Sequence, residues 1–152
     1  MKDDSIQLVK SLYEAFTRGD LNAIYDRCDP LIQWTSNADP VLLPWGGERK
    51  GVDGVRSFFA DLFANVEFRE FEPHQFLGGP DLVIVLGRSV ARAKASGGRI
   101  EDEWAHLLWL RNGRVVRFRE FADTHAIVLG YQGAALHVAR RDGAETDPAH
   151  PH

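Results

Sequence analysis

The sequence predicts an α+β domain in which a curved antiparallel sheet wraps around N-terminal helices and leaves a conical cavity at its open end. Two observations carry this. Apolar residues recur at helical spacing through the first 65 residues, interrupted by one short strand. From residue 67 onward the pattern changes to period two, punctuated by turn signals.

The segment "DDSIQLVKSLYEAFTRGD" places Ile6, Val9, Leu12, Tyr13 and Phe16 on one helical face. Asp3, Asp4 or Ser5 can cap its start, and Gly19 stops it. Asp20 then caps a short second helix with Leu21, Ile24, Tyr25 and Cys28 as its inner stripe. "LIQWTS" reads as a strand with Ile32, Trp34 and Ser36 on one face. "NADPVLLPWGGERKG" reads as a long loop, and "GVDGVRSFFADLFANV" returns to helical spacing.

Four strands follow. "EFREFEPHQFL" contains Pro73 and so belongs at an edge or a bulge. "DLVIVLGRSVARAKA" turns through "SGG" into "RIEDEWAHLLWLR". Asn112–Gly113 is the strongest hairpin signal and leads into "RVVRFREFADT". A weak helix from Thr124 toward Val138 is loosened by Gly130 and Gly133. The domain is expected over residues 1–138, with a polar, disordered tail over 139–152.

Composition narrows the function. The 152 residues are 44% hydrophobic and 11% aromatic, enough for one core, and the net charge of −4 does not suggest a nucleic-acid partner. The single cysteine, Cys28, excludes an intrachain disulfide and a cysteine-rich metal site. No apolar run reaches membrane-spanning length, and "MKDDSIQL" is no signal peptide, so the expected location is cytoplasmic. "GGERKG" lacks the phosphate-loop pattern, and His150 and His152 do not make a metal site. No cofactor and no metal are expected.

The last strand raises the chemical question. Val116, Phe118, Glu120 and Ala122 share one face, which is apolar except for Glu120. A carboxylate among apolar side chains must be paired, hydrogen-bonded or protonated.

The phrases "LYEAFTRGDLNAI", "GVDGVRSFFADL" and "EWAHLLWLRNGRVVRFREFADT", with the element order, resemble the SnoaL-like branch of the nuclear-transport-factor-2-like superfamily over roughly residues 5–128. The resemblance implies a cystatin-like α+β barrel whose concave side faces the helices. Pairing the last two strands across Asn112–Gly113 on that plan puts Trp104, His106, Leu108, Val116, Phe118 and Glu120 on the concave side. Gly87, Ser89, Ala91 and Ala93 face in from the preceding strand, and their small size predicts a pocket of a few hundred cubic ångströms, typical of small-ligand sites.

Ketosteroid isomerase, a member of this superfamily, combines an aspartate base with a tyrosine and a protonated aspartic acid that donate to the oxyanion. On that pattern the tyrosine position falls on Leu12, with Tyr13 one residue off the face. The protonated aspartic-acid position falls on His106, and the base position near Ser36 or Asn37. On the limonene epoxide hydrolase pattern Glu120 aligns, but the partner arginine and second aspartate fall on Gly87 and Ser89. The expected catalytic residues are Glu120 and His106, with Trp34, Ser36, Ser89, Trp104 and Phe118 binding a hydrophobic small molecule. The reaction is expected to be isomerisation, cyclisation or dehydration; a non-catalytic ligand binder and an epoxide hydrolase with a non-standard catalytic set are the alternatives. The outward face, with Leu107, Trp109, Val115 and Phe121 among Arg and Glu residues, is apolar enough to predict a homodimer.

Overall fold

A computed structural model describes residues 2–133. The expected tail over 139–152 lies outside the described residues. Helix α1 spans Lys2–Thr17 and α2 spans Leu21–Tyr25. Strand β1 is Cys28–Ser36, β2 is Gly47–Lys50, and α3 is Gly51–Asn65. Then come β3 Val66–Gly78, β4 Leu82–Ala93, β5 Arg99–Arg111, β6 Arg114–Ala122 and α4 Thr124–Tyr131.

The helix boundaries follow local chemistry. Gly19 takes a left-handed φ of 79°, which ends α1, and the Asp20 side chain accepts from the Ala23 N–H at 3.2 Å to start α2. Asp4 and Ser5 lie inside α1, whose first residue is Lys2, and the Ser5 hydroxyl donates to the Pro80 carbonyl. Cys28 belongs to β1, not to α2: its helical spacing from Ile24 is coincidental, because α2 closes at Tyr25. The loop expected to run through residue 51 contains β2, an edge strand. Arg49 ties it down by donating to Asp61 at 2.7 Å and to the Pro44 carbonyl at 3.0 Å.

The six strands form one open sheet in the order β2-β1-β6-β5-β4-β3. It is mixed, not wholly antiparallel, because β1 pairs with β6 in parallel, and it does not close into a barrel, because the edge strands β2 and β3 do not pair. β3 is at the far edge and carries a register shift between Pro73 and Gln75, which accommodates the missing N–H of Pro73. Helices α1 and α3 lie on the concave side, and α4 packs on β5. Gly130 and Gly133, expected to loosen α4, serve close approach instead. A Cβ on Gly130 would meet the backbone of Arg99 and Ile100, and one on Gly133 would meet Gly98.

The β5–β6 hairpin sets the phase of the site. Asn112 and Gly113 both have positive φ, 53° and 73°, the geometry of a type I′ turn. Arg111 pairs with Arg114 and Leu110 with Val115, but Trp109 pairs with Arg117. Val116 is therefore an extra, bulged residue. Inward residues before and after it have opposite parity. Val115, not Val116, faces the interior and is 2% exposed. Beyond the bulge, Leu108 pairs with Phe118 and His106 with Glu120. Without the bulge, with Val116 paired to Trp109, His106 would oppose Arg119, and Glu120 would point outward.

The small residues of β4 do not leave the large open pocket that their size predicts. Ser89, Ala91 and Ala93 are 5%, 4% and 0% exposed, facing in as expected. The cavity volume, however, is about 120 Å³. The space beside Gly87 is filled by the Trp104 ring, which a Cβ on Gly87 would overlap, together with the Glu72 carbonyl. Gly87→Ala should therefore destabilise the fold by roughly 1–3 kcal/mol through overpacking, read as a lowered urea midpoint. An unchanged midpoint would show that Trp104 does not occupy that space.

Candidate functional site

Glu120 sits on β6 between two neighbouring strands, and each supplies it with a donor. From β1, where Ser36 is its parallel partner, the Ser36 hydroxyl donates to Oε1 at 3.1 Å. From β5, its antiparallel partner His106 contacts Oε2 through Nε2 at 2.9 Å. The other ring nitrogen, Nδ1, lies 2.7 Å from the Tyr13 hydroxyl of α1. One proton arrangement satisfies every atom: Tyr13 donates to Nδ1, and a neutral imidazole donates its Nε2–H to the carboxylate. A charged imidazole would leave the Tyr13 proton without an acceptor among the hydrogen bonds of the described residues.

Burial raises a carboxyl pKa, and here that is the largest single influence on Glu120. The His106 and Ser36 hydrogen bonds, with the positive charge that His106 carries when protonated, outweigh it, so the net direction is down. Tyr13 moves up, because burial and the neighbouring Glu120 charge both disfavour a phenolate, which keeps it a donor.

Aromatic rings enclose this polar chain. Trp104 stacks on His106 at 4.0 Å between centroids and on Phe71 at 5.1 Å. Trp34 stacks on Phe118 at 3.9 Å. Such contacts contribute about 0.5–1.5 kcal/mol each beyond their burial. The indole N–H groups of Trp34 and Trp104 are both buried without a partner among the described residues.

Of the expected site residues, Glu120, His106, Trp34, Ser89, Trp104 and Phe118 all line the 120 Å³ cavity. Ser36 does not: it is 3% exposed and stands behind Glu120 as a hydrogen-bond donor. Two site residues escape the sequence reading. The family pattern sets Tyr13 one residue off the face, yet the buried stripe of α1 is wide enough to include Leu12 and Tyr13 together. Asp102 shares the parity of Trp104 and His106, so period two extended one step further finds it.

Asp102 is 8% exposed, lines the same cavity and accepts from the Ser89 hydroxyl at 3.1 Å. Burial pushes its carboxyl up to about 7, helped by the Glu120 charge, opposed by the Ser89 hydrogen bond, and helped slightly by Asp123. No group of three or more metal-ligating side chains occurs among the described residues.

The two carboxyls bend stability with pH in opposite senses. Glu120, lowered, contributes stability that is present above the ordinary carboxylate range and is lost as pH falls through its folded value. Asp102, raised from 3.8 to about 7, keeps a proton that the unfolded chain releases, so stability falls as pH rises across that interval. Thermal melts of Asp102→Asn should lack that decline, which linkage limits to ~4 kcal/mol. An identical decline in the variant would place its origin elsewhere.

Comparison with known proteins agrees with this architecture. The sequence pattern of the SnoaL-like domain matches residues 9–118. Among curated proteins, none matches the sequence. A nuclear-transport-factor-2-like protein of unknown function from Burkholderia pseudomallei is similar in structure, with a TM-score of 0.78, 27% identity, and coverage of 85% of this chain and 98% of that one. Another such protein, from Burkholderia thailandensis, has a TM-score of 0.76, 28% identity, and coverage of 84% and 97%. A candidate SnoaL-like polyketide cyclase from a Jannaschia species shares the fold with a TM-score of 0.72 at 16% identity, covering 87% of this chain and 94% of that one. With its pattern matched over most of its length and its fold shared with these structures, the chain belongs to the SnoaL-like domain family of the nuclear-transport-factor-2-like fold.

Proposed function

We propose that this protein is a cofactor-independent acid/base enzyme of the isomerase, cyclase or dehydratase kind, acting on a small hydrophobic molecule. The observation that carries the reading is an ionised carboxylate, held at both oxygens, on the wall of an otherwise aromatic cavity. Glu120 takes a proton from the bound molecule and returns it. His106 and Ser36 hold the carboxylate in one orientation, and Tyr13 fixes the His106 tautomer, so Nε2–H always faces Glu120. Trp34, Trp104 and Phe118 supply the apolar walls.

Two quantities narrow the substrate. An apolar cavity of about 150 Å³ takes benzene, so about 120 Å³ admits no more than about one ring of a ligand whose remainder extends through the cavity mouth. A base with a lowered pKa is weak, and each unit of mismatch with the carbon acid adds ~1.4 kcal/mol to the transfer. The C–H bond attacked is therefore activated by a neighbouring carbonyl. Phenylacetone in D₂O tests this. The wild type should speed deuterium uptake at the benzylic carbon, and Glu120→Gln should reduce that rate by at least ~100-fold. Equal rates in both proteins would remove Glu120 from the chemistry.

The same depressed basicity favours a second reading, a ligand-binding protein in which the Glu120 network is structural. It predicts binding of single-ring molecules with no exchange above the buffer rate. No helix among the described residues is long and apolar enough to cross a membrane. We place the protein in the cytoplasm, without nucleic acid or membrane partners.

The convex sheet face is proposed as a homodimer contact. Phe121 is 41% exposed there, and Arg117 and Arg119 cover Trp109 and Phe121 at 4.6 and 4.8 Å. Trp109→Glu should convert a dimer into a monomer in sedimentation. A wild-type monomer at high micromolar concentration would end the proposal.

A further inference from the structure

The chemistry proposed for Glu120 leaves another buried carboxyl of the cavity unused. Asp102 lies on β5 four residues before His106 and on the same face, with Trp104 between them. At strand spacing this separates the two Cα positions by ~13 Å. The pair Glu120–His106 and the pair Asp102–Ser89 thus stand at different stations along one apolar space.

The bonding of Asp102 is incomplete. Its Oδ1 accepts from Ser89, whereas Oδ2 makes no hydrogen bond with any described residue, and Asp102 lines the cavity. No basic side chain among the described residues pairs with it. The charged groups that act on it are Glu120 and Asp123, both on the β6 side and both acidic. A carboxyl in such surroundings is held in its acid form, which carries a proton to donate. The free position for that proton is Oδ2, the oxygen that Ser89 leaves unpaired.

We propose that Asp102, seated on Ser89, is a polar anchor for an accepting oxygen of the bound molecule, separate from the carbonyl that activates the carbon facing Glu120. The anchor rests on the small-molecule reading of the cavity but not on catalysis by Glu120. It assigns the ligand a class: an elongated, mostly apolar molecule with a hydrogen-bond-accepting oxygen at one end. Its oxygen-free analogue should be disfavoured, because binding would bury the Asp102 donor unpaired. Ionisation of Asp102 removes the donor and sets an electron-rich oxygen against the ligand's accepting oxygen.

Acetophenone and α-methylstyrene differ in one group, C=O against C=CH₂, and make the test. Binding to the full chain is measured by calorimetry, below and above the Asp102 transition at about 7. On the acid side, the wild type should prefer acetophenone by roughly tenfold, the size of one neutral hydrogen bond. The preference should vanish on the alkaline side. Asp102→Asn keeps an N–H donor and should keep the preference at both pH values, whereas Asp102→Leu should lose it while still binding α-methylstyrene. Glu120→Gln should leave the preference intact, which separates the anchor from the proton-transfer reading. A preference that survives Asp102→Leu, a wild type that shows none, or a wild type that binds neither molecule would overturn the anchor.

Discussion

A negative charge among tryptophan and phenylalanine rings is expensive unless the surroundings solvate it. That constraint organises the centre of this molecule. Glu120 is solvated by Ser36 from one neighbouring strand and His106 from the other, so both flanking strands must be in register with β6. His106 in turn needs an acceptor role for Nδ1, and α1 supplies it through Tyr13. One ionised group thereby links three strands and the N-terminal helix. Removing any donor would leave a buried charge short of a partner, a change that typically costs several kcal/mol.

The aromatic shell has a matching logic. Trp104 lies over Gly87 and stacks on His106, so the smallest residue of β4 and a tryptophan of β5 share one position in the sheet. The indole orients the imidazole from the side while Tyr13 and Glu120 orient it end-on. Polar geometry here depends on apolar packing, and the cavity is the remainder after that packing is complete.

The helices, the Asp20 cap, the hairpin at Asn112–Gly113 and the irregular edge at Pro73 are all legible in the sequence, because each rests on contacts within a few residues. The parallel pairing of β1 with β6 is not, since it joins segments some 80 residues apart with no local signature. Strand β2 escapes because an exposed four-residue edge has no buried face to show a period. Strand parity and the family plan place the candidate pair Glu120 and His106 on one face. An unbulged hairpin from the same turn would have separated them, and nothing in "GRVVRF" announces that Val116 is the extra residue. Tyr13 lies on the apolar stripe read from the sequence but is lost as a site residue because the family pattern points to Leu12, and Asp102 is lost to stopping the alternation one step early.

The bulge at Val116 also bears on how such a protein changes over generations. Substitution alters the chemistry of a cavity one side chain at a time. Gain of a single codon between Val116 and Arg117, with the bulge kept, would instead rotate every residue of β6 beyond it, withdrawing Phe118 and Glu120 and presenting Arg117 and Arg119 in their place. One insertion would thus exchange an anionic interior for a cationic one, and with it the set of ligands that the same scaffold admits. Hairpin length, and not only residue identity, is a hereditary variable of the site.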